Sequence, residues 1–139
     1  MRQYSLTLIC LAISLTPKRS SAAVRMVPED YATISAAILA ASAYDTISLA
    51  PGDFVGDATS IPLSFIGREP VPHTRIHGAI SINASGDYSD TSRVEQLFFV
   101  TSPTQLHCLN GNFAIRNNVV DSGNLGPAVV YFQGTTRGI

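Results

Sequence analysis

The spacing of apolar residues changes once along this chain, at Asp45. Upstream of it, Thr33 is placed to cap a helix, and apolar residues follow the i, i+3, i+4, i+7 rule. These residues are Ile34, Ala37, Ile38 and Ala41. We predict a helix from Thr33 to about Ala41, which is too short to persist in water without a surface to pack on.

Downstream of Asp45, apolar and polar residues alternate as they do in strands. Ile47 and Leu49 share one face, and a turn at "PGDF" follows, in which Gly52 is free to adopt a positive φ. We predict further strands in "PLSFIG", "TRIHGAISIN", "QLFFVT", "QLHCL", "FAIRNNVVD" and "AVVYF". Two of these place their apolar positions on one face: Ile76, Gly78, Ile80 and Ile82 in one, and Phe113, Ile115 and Val119 in the other.

The predicted strands recur at a nearly constant spacing. Apolar residues stand 16 to 17 positions apart at Leu49, Phe65, Ile82, Phe99 and Ile115. Weak repeats of about 20 residues, with one or more strands each, indicate a solenoid. An antiparallel sandwich would also have short, regularly spaced strands, although only "LNGN" at 109–112 offers a tight hairpin turn. The pattern favours the solenoid and leaves the sandwich open.

The segment "VPEDYATISAAILAASAYDTISLAPGDF" resembles the opening of right-handed parallel β-helix proteins of the pectin-lyase-like superfamily. In those proteins a Val-Pro precedes an "ATIQAAI" helix and a "GDTI.V.PGTY" strand. Here "ATISAAI", "DTISLAPG" and the aromatic Phe54 match, and "IPLSFIG", "RIHGAISI" and "NGNFAIRNNVVDSG" are similar to later rungs. The resemblance covers about Val24 to Gly126. It implies an all-β, right-handed parallel β-helix with a short N-terminal capping α-helix.

The chain departs from that pattern in sequence and in length. Tyr44 and Asp53 stand where Gly and Thr are usual. Enzymes of this superfamily generally have more rungs than 139 residues supply, and "TTRGI" shows no C-terminal cap. An uncovered rung offers strand edges to neighbours. We therefore interpret 24–139 as the cap and first rungs of a truncated β-helix, open to self-association through its C-terminal rung.

The N-terminal segment resembles a secretory signal peptide. An apolar run from Leu6 to Leu15 follows Arg2, and small residues precede Ala23. The run is too short to cross a bilayer, which takes about 20 residues. We predict a signal peptide at 1–23, cut after Ala23, and a secreted protein, extracellular or periplasmic. Such a cut leaves six Arg, no Lys and ten acidic residues, a formal net charge of −4, which argues against a nucleic-acid partner.

Acidic residues and the single remaining thiol are weak candidates for a site. Asp87 and Asp90 in "SGDYSD" offer oxygen atoms of the kind that Ca²⁺ binds, but their spacing is that of a solvated loop. Turn chemistry accounts for Asp53 and Asp57. Cys108, alone once Cys10 is removed, lies between apolar residues and is predicted to be a buried hydrophobe rather than a nucleophile.

The histidines and the superfamily's known sites add no catalytic candidate. His73, His77 and His107 do not have the spacing of zinc ligands, and His77 is expected to point outward beside Ile76. Enzymes of the superfamily use clusters of Asp with Arg, some with Ca²⁺. None of those local motifs occurs here, so the resemblance transfers no catalytic residue. We predict no cofactor, and the catalytic and metal-binding residues stay unassigned.

Three asparagines stand at predicted turns or in an acceptor sequence. Asn117 and Asn118 are predicted to stack at a β-helix turn, where Asn bonds the backbone and tolerates left-handed dihedral angles. Asn83-Ala84-Ser85 is a glycosylation acceptor sequence, which matters only in a eukaryotic secretory host.

These observations lead to two functional hypotheses. The first is a secreted β-helix module that binds polysaccharide such as pectin-like uronides, or processes it within a longer parent protein. An outward aromatic residue such as Tyr131 would stack on sugar rings, although packing in the core is the more common role of such a residue. The alternative is a non-catalytic structural or adhesive module at the cell surface. We expect no catalysis by this chain alone; an active parent would be a polysaccharide lyase, a glycoside hydrolase or a pectinesterase-like enzyme.

Overall fold

The computed structural model describes residues 21–84, 90–100, 106–121 and 130–133, the last four by their backbone alone. These residues form one helix, α1 (Ile34–Ala40), and a succession of short strands. The strands are β1 (Val24–Val27), β2 (Thr46–Leu49), β3 (Gly52–Val55), β4 (Ala58–Thr59), β5 (Ser64–Gly67), β6 (Thr74–His77), β7 (Ile80–Asn83), β8 (Thr91–Glu95), β9 (Phe98–Val100), β10 (Leu106–Leu109), β11 (Asn112–Arg116), β12 (Val119–Asp121) and β13 (Val130–Gln133).

The strands assemble into three sheets that run the length of the molecule. The first sheet has the order β1-β2-β5-β8-β11, the second β3-β6-β9-β12 and the third β4-β7-β10-β13. Every pairing is parallel, and each strand pairs with the equivalent strand of the next coil. The chain is therefore a right-handed parallel β-helix of about four turns, as predicted. The antiparallel sandwich is excluded.

The core lies inside the coils and is built from stacked rows of apolar side chains. One row runs along the first sheet through Ile47, Phe65, Val94 and Ile115. The second sheet contributes Phe54, Ile76, Phe99 and Val120 in register. Most of these side chains are fully buried. Cys108 is a free thiol within this core, so the described part of the chain is stabilised by the packing of these rows and not by a disulfide bond.

The coils differ in length, and this corrects the repeat predicted from the sequence. Ile47, Phe65, Val94 and Ile115 occupy equivalent positions, so successive coils take 18, 29 and 21 residues. The apparent spacing of 16 to 17 instead joined residues of different sheets, with Ile82 in the third and Phe99 in the second. Loops of unequal length between strands hide the true repeat.

Two segments predicted as single strands are each divided by a corner. Gly78, with φ of +81°, separates β6 from β7, and Asn117, with φ of +53°, separates β11 from β12. The corner at Asn117 shifts the alternation of faces, so Val119 points outward and is 40% exposed, although it was predicted to share a face with Phe113. The turn predicted at "PGDF" is also shorter, because β3 already begins at Gly52 (φ +146°).

Helix α1 closes the N-terminal end of the β-helix. The Thr33 side chain accepts a hydrogen bond from the Ala36 amide at 3.1 Å, which is the predicted N-cap. Ile34 is buried and Ile38 packs against the core with partial burial, as predicted for a lid. A seven-residue helix is stable only with such a surface beneath it.

The free edge of β1 is blocked by the turn that follows it. The Met26 amide donates to the Asp30 carboxylate at 3.2 Å, and the Met26 carbonyl accepts from the amides of Asp30 and Tyr31 at 2.9 and 3.1 Å. These groups would otherwise be open to a strand from another molecule. The N-terminal end of the solenoid is thus protected against strand addition at this residue.

A buried carboxylate joins β1 to the first coil. Asp45 is 1% exposed, and its Oδ2 accepts from Arg25 Nε at 3.1 Å, Arg25 Nη2 at 2.9 Å and the Ser42 amide at 3.0 Å. Its Oδ1 accepts from the Ala23 amide at 2.7 Å. Arg25 also donates to the Tyr31 hydroxyl at 2.8 Å. This network ties the end strand to the lid and to the start of β2, and sequence reasoning did not anticipate it.

Candidate functional site

Side chains on the outer face of the second sheet form two parallel rows. One row is Asp53, Arg75, Phe98 and Val119, and the other is Val55, His77, Val100 and Asp121. Neighbours within a row are one strand spacing apart, about 4.8 Å. We refer to these eight residues as the second-sheet face. They are scattered in the sequence, and stacking of the coils brings them together.

The N-terminal half of the second-sheet face carries a charged cluster. His77 Nε2 lies 2.7 Å from Asp53 Oδ1, and Arg75 Nε lies 3.6 Å from the same oxygen. The hydrogen bond from His77 and the charge of Arg75 hold the pKa of Asp53 below its usual range. The three side chains are each about half exposed, so their polar atoms are open to a ligand as well as to one another.

The C-terminal half of the same face is apolar except for Asp121 at its end. Phe98 follows Arg75 in its row and Val100 follows His77, and both are half-buried. Val119 continues the first row, and Val55 stands 74% exposed at the start of the second. A partly exposed aromatic ring beside arginine and histidine is a combination that favours ligands with both an apolar face and polar groups.

The chemistry that this face can perform is binding rather than nucleophilic attack. Asp53 is already engaged by a hydrogen bond with His77 and by the charge of Arg75, so it serves poorly as a free general base. Among residues 21–84, 90–100 and 106–121, no three side chains of His, Cys, Asp or Glu are grouped to hold a metal ion. The described side chains of this face can hold a ligand by hydrogen bonds and by stacking on an aromatic ring.

The other acidic candidates are dispersed. Asp57 is half-buried, and hydrogen bonds from Ser35 and the Ala58 amide lower its pKa, so it ties the β3–β4 turn to the lid helix. Asp90 is exposed, and its amide donates to the Tyr44 hydroxyl at 3.3 Å. Asp87 lies outside the described residues, so a calcium site with Asp90 stays an untested idea.

The remaining histidines and the cysteine do not converge with the second-sheet face. His73 is exposed in the loop before β6, and His107 lies on β10 of the third sheet. His77 points outward as predicted. Cys108 is 1% exposed in the core, and burial raises the pKa of its thiol to about 12. Its predicted role as a buried hydrophobe is confirmed.

Asn117 and Asn118 lie at a corner of the β-helix, as predicted, and Asn118 bonds the backbone there. Asn118 donates to the Val94 carbonyl at 2.7 Å and accepts from the Leu97 amide at 2.9 Å. Asn83 is exposed at the end of β7, and its Oδ1 accepts from Asn110 at 2.9 Å. Ser85 of the acceptor sequence lies outside the described residues. So do segment 1–20, which holds most of the predicted signal peptide, segment 134–139, and the side chain of Tyr131.

Sequence reasoning missed the pairing of Asp53 with His77. It assigned Asp53 to a turn and His77 to an outward position, 24 residues apart. The signal that would have joined them is the coil length, because residues one coil apart stack directly: Asp53 stacks on Arg75, and His77 then lies two residues further along the same face. The unequal loops concealed that length.

Comparison with known proteins yields no relative: no protein-family model, curated protein or solved structure matches this chain. In the part of the chain that the structure describes, no helix has the length and apolar character to cross a membrane.

Proposed function

We propose that this chain is an exported β-helix module that binds polysaccharide along its second-sheet face, with pectin-like uronides as the leading candidates. The proposal places the chain with the pectin-lyase-like superfamily on the strength of the opening motif. The signal-like N-terminal segment supports export. Binding requires no catalytic group, in keeping with the absence of superfamily active-site motifs from the sequence.

The observation that carries the proposal is the row Asp53, Arg75 and Phe98 at successive strand spacings. Phe98 supplies an apolar ring against which a sugar ring can stack. Arg75 supplies donors suited to a carboxylate. Since the face is open and runs along the solenoid, it suits an extended polymer rather than an enclosed small molecule.

A structural or adhesive role without glycan binding is the second candidate. It is favoured by the engagement of Asp53 with His77 and Arg75, which uses part of the charged cluster within the protein itself. Self-association through the C-terminal rung belongs to this hypothesis and concerns residues outside the described range.

The test is calorimetric titration of the full chain with polygalacturonate, methyl-esterified pectin, xylan and soluble cellulose fragments. Phe98→Ala and Arg75→Ala are expected to weaken binding about tenfold each, which corresponds to about 1.4 kcal/mol. Only Arg75→Ala should weaken the binding of charged glycans more than that of neutral ones, because the proposed contact of Arg75 is with a carboxylate.

Two matched variants control for general damage. Arg93→Ala removes an exposed arginine from the first sheet, and Leu39→Ala removes an 88% exposed apolar side chain from the lid helix. Both should bind as the wild type does. The proposal is contradicted if the wild-type protein binds none of these glycans, or if all four variants bind equally well. If the protein cleaves a glycan and Asp53→Asn abolishes the cleavage, its role is not binding alone.

A further inference from the structure

Two adjacent peptide bonds satisfy the small-residue rule for signal peptidase, which requires small side chains one and three residues before the cut. A cut after Ala23 has Ser21 and Ala23 at those positions, and a cut after Ala22 has Ser20 and Ala22. The sequence rule alone does not choose between them. The two products differ only in whether Ala23 is retained.

Ala23 is part of the folded structure. Its carbonyl accepts from the Thr46 amide at 2.8 Å, which begins the pairing of β1 with β2. Its nitrogen donates to Asp45 Oδ1 at 2.7 Å. Ser21 and Ala22 are both exposed. A cut after Ala23 would delete both hydrogen bonds, whereas a cut after Ala22 would keep them.

We propose that the exported chain is cut between Ala22 and Ala23, and that the new α-ammonium group of Ala23 forms an ion pair with the buried carboxylate of Asp45. In the cut, water adds across the Ala22–Ala23 peptide bond. The acyl carbon leaves with the leader as a carboxylate, and the Ala23 nitrogen becomes an amine that is protonated at neutral pH. The proposal rests on export, as proposed above, and is independent of glycan binding.

The arrangement around Asp45 suits this added charge. Oδ2 already accepts three hydrogen bonds, two of them from Arg25, while the hydrogen bond described at Oδ1 comes from Ala23. The carboxylate already makes this hydrogen bond charge-assisted, and an ammonium gives it a charged donor as well, which strengthens it further. Removal of the leader would therefore strengthen the network that holds β1 beneath the lid.

The first test is export of the full chain from a secreting host, followed by N-terminal sequencing and intact mass of the product. We expect a first residue of Ala23. Ala22→Leu places a large residue directly before the proposed cut and should abolish the product that begins at Ala23, leaving only the bond after Ala23 open to cleavage, whereas Ala23→Leu should still be cut after Ala22. A wild-type product that begins at Val24, or a loss of processing in Ala23→Leu, would overturn the proposal and leave export standing. Recovery of uncut chain alone would overturn both.

The second test uses the absence of lysine from residues 19–139. The N-terminal amine is then the only amine of the processed protein, so acetylation by an amine-selective reagent reports on it alone. Only a neutral, accessible amine reacts, and an ion-paired ammonium is protected. We expect the folded protein to react about tenfold more slowly than the same protein in urea, and Asp45→Asn to remove the protection. Equal rates in the folded and urea-unfolded wild type would refute the ion pair.

Discussion

Replacing Asp45 with alanine tests the account of how the N-terminal end is held. The change removes a carboxylate that is 1% exposed and accepts four hydrogen bonds, from Arg25 twice, from Ser42 and from Ala23. It also leaves a guanidinium beneath the lid with its main partner missing. We expect the free energy of unfolding to fall substantially.

The magnitude depends on how far water replaces the lost carboxylate. Removing one partner of a buried ion pair typically costs 3–5 kcal/mol. The Arg25 side chain is 22% exposed and Ser42 is exposed, so water reaches part of the vacated site. We therefore expect about 3 kcal/mol, at the low end of that range, out of a total of roughly 5–15 kcal/mol for a domain.

Urea unfolding followed by far-UV circular dichroism is the appropriate assay, because the chain contains no tryptophan. If the free energy of unfolding falls by roughly 1.5 kcal/mol per molar urea, the loss should lower the urea concentration at the unfolding midpoint by roughly 2 M. Asp53→Ala is the control, since Asp53 is 57% exposed and its removal should shift the midpoint little. If the two variants lose the same stability, the Asp45 network does not hold the cap in the way described.

The same carboxylate predicts a pH dependence. Burial alone would raise the pKa of Asp45, but hydrogen bonds from Ser42, Ala23 and Arg25 outweigh it and lower the pKa. The stabilisation is therefore fully present above the ordinary pKa of an aspartate, about 4, and is lost as the pH falls through the lowered folded value. Urea midpoints of the wild type and Asp45→Ala should differ by a constant amount from pH 7 to about 5 and converge below about pH 4. A difference between the two midpoints that persists at the lowest pH would show that the ionised carboxylate is not the cause of the stabilisation.

Three further predictions concern the interior. A Cβ at Gly56 would overlap the backbone carbonyl of Ala79, so Gly56→Ala should lower the free energy of unfolding by more than about 2 kcal/mol. Gly78 has open space around it but a φ of +81°, so Gly78→Ala should lower it by about 1 kcal/mol. Equal losses for the two variants in thermal unfolding would contradict the overlap. The hydroxyl of Ser92 is buried with no hydrogen-bond partner among the described residues, so Ser92→Ala should stabilise the protein by about 1 kcal/mol; a loss of stability would reveal a partner. Cys108, buried and with its pKa raised to about 12, should resist a thiol reagent at pH 8 until urea is added; rapid reaction of the folded protein would be inconsistent with its burial.

Local sequence patterns determined the parts of this fold that depend on near neighbours. Thr33 caps α1 and Ile34 is buried as predicted, because capping and helical periodicity act within a few residues. Ile47 and Leu49 alternate with polar residues and lie in the core. The resemblance of the opening segment supplied the handedness and the parallel arrangement, which alternation by itself left open.

Tertiary structure alone decided where each strand ends and which distant residues meet. Gly78 and Asn117 adopt positive φ at corners, and the corner at Asn117 reverses the faces that alternation assigned, as at Val119. The contacts of Asp45 with Arg25, and of Asp53 with His77, join residues 20 and 24 positions apart. Those distances are set by loops of unequal length between stacked strands. A repeating chain fixes its contacts by register between coils, and register is a property of the packed core rather than of any local segment.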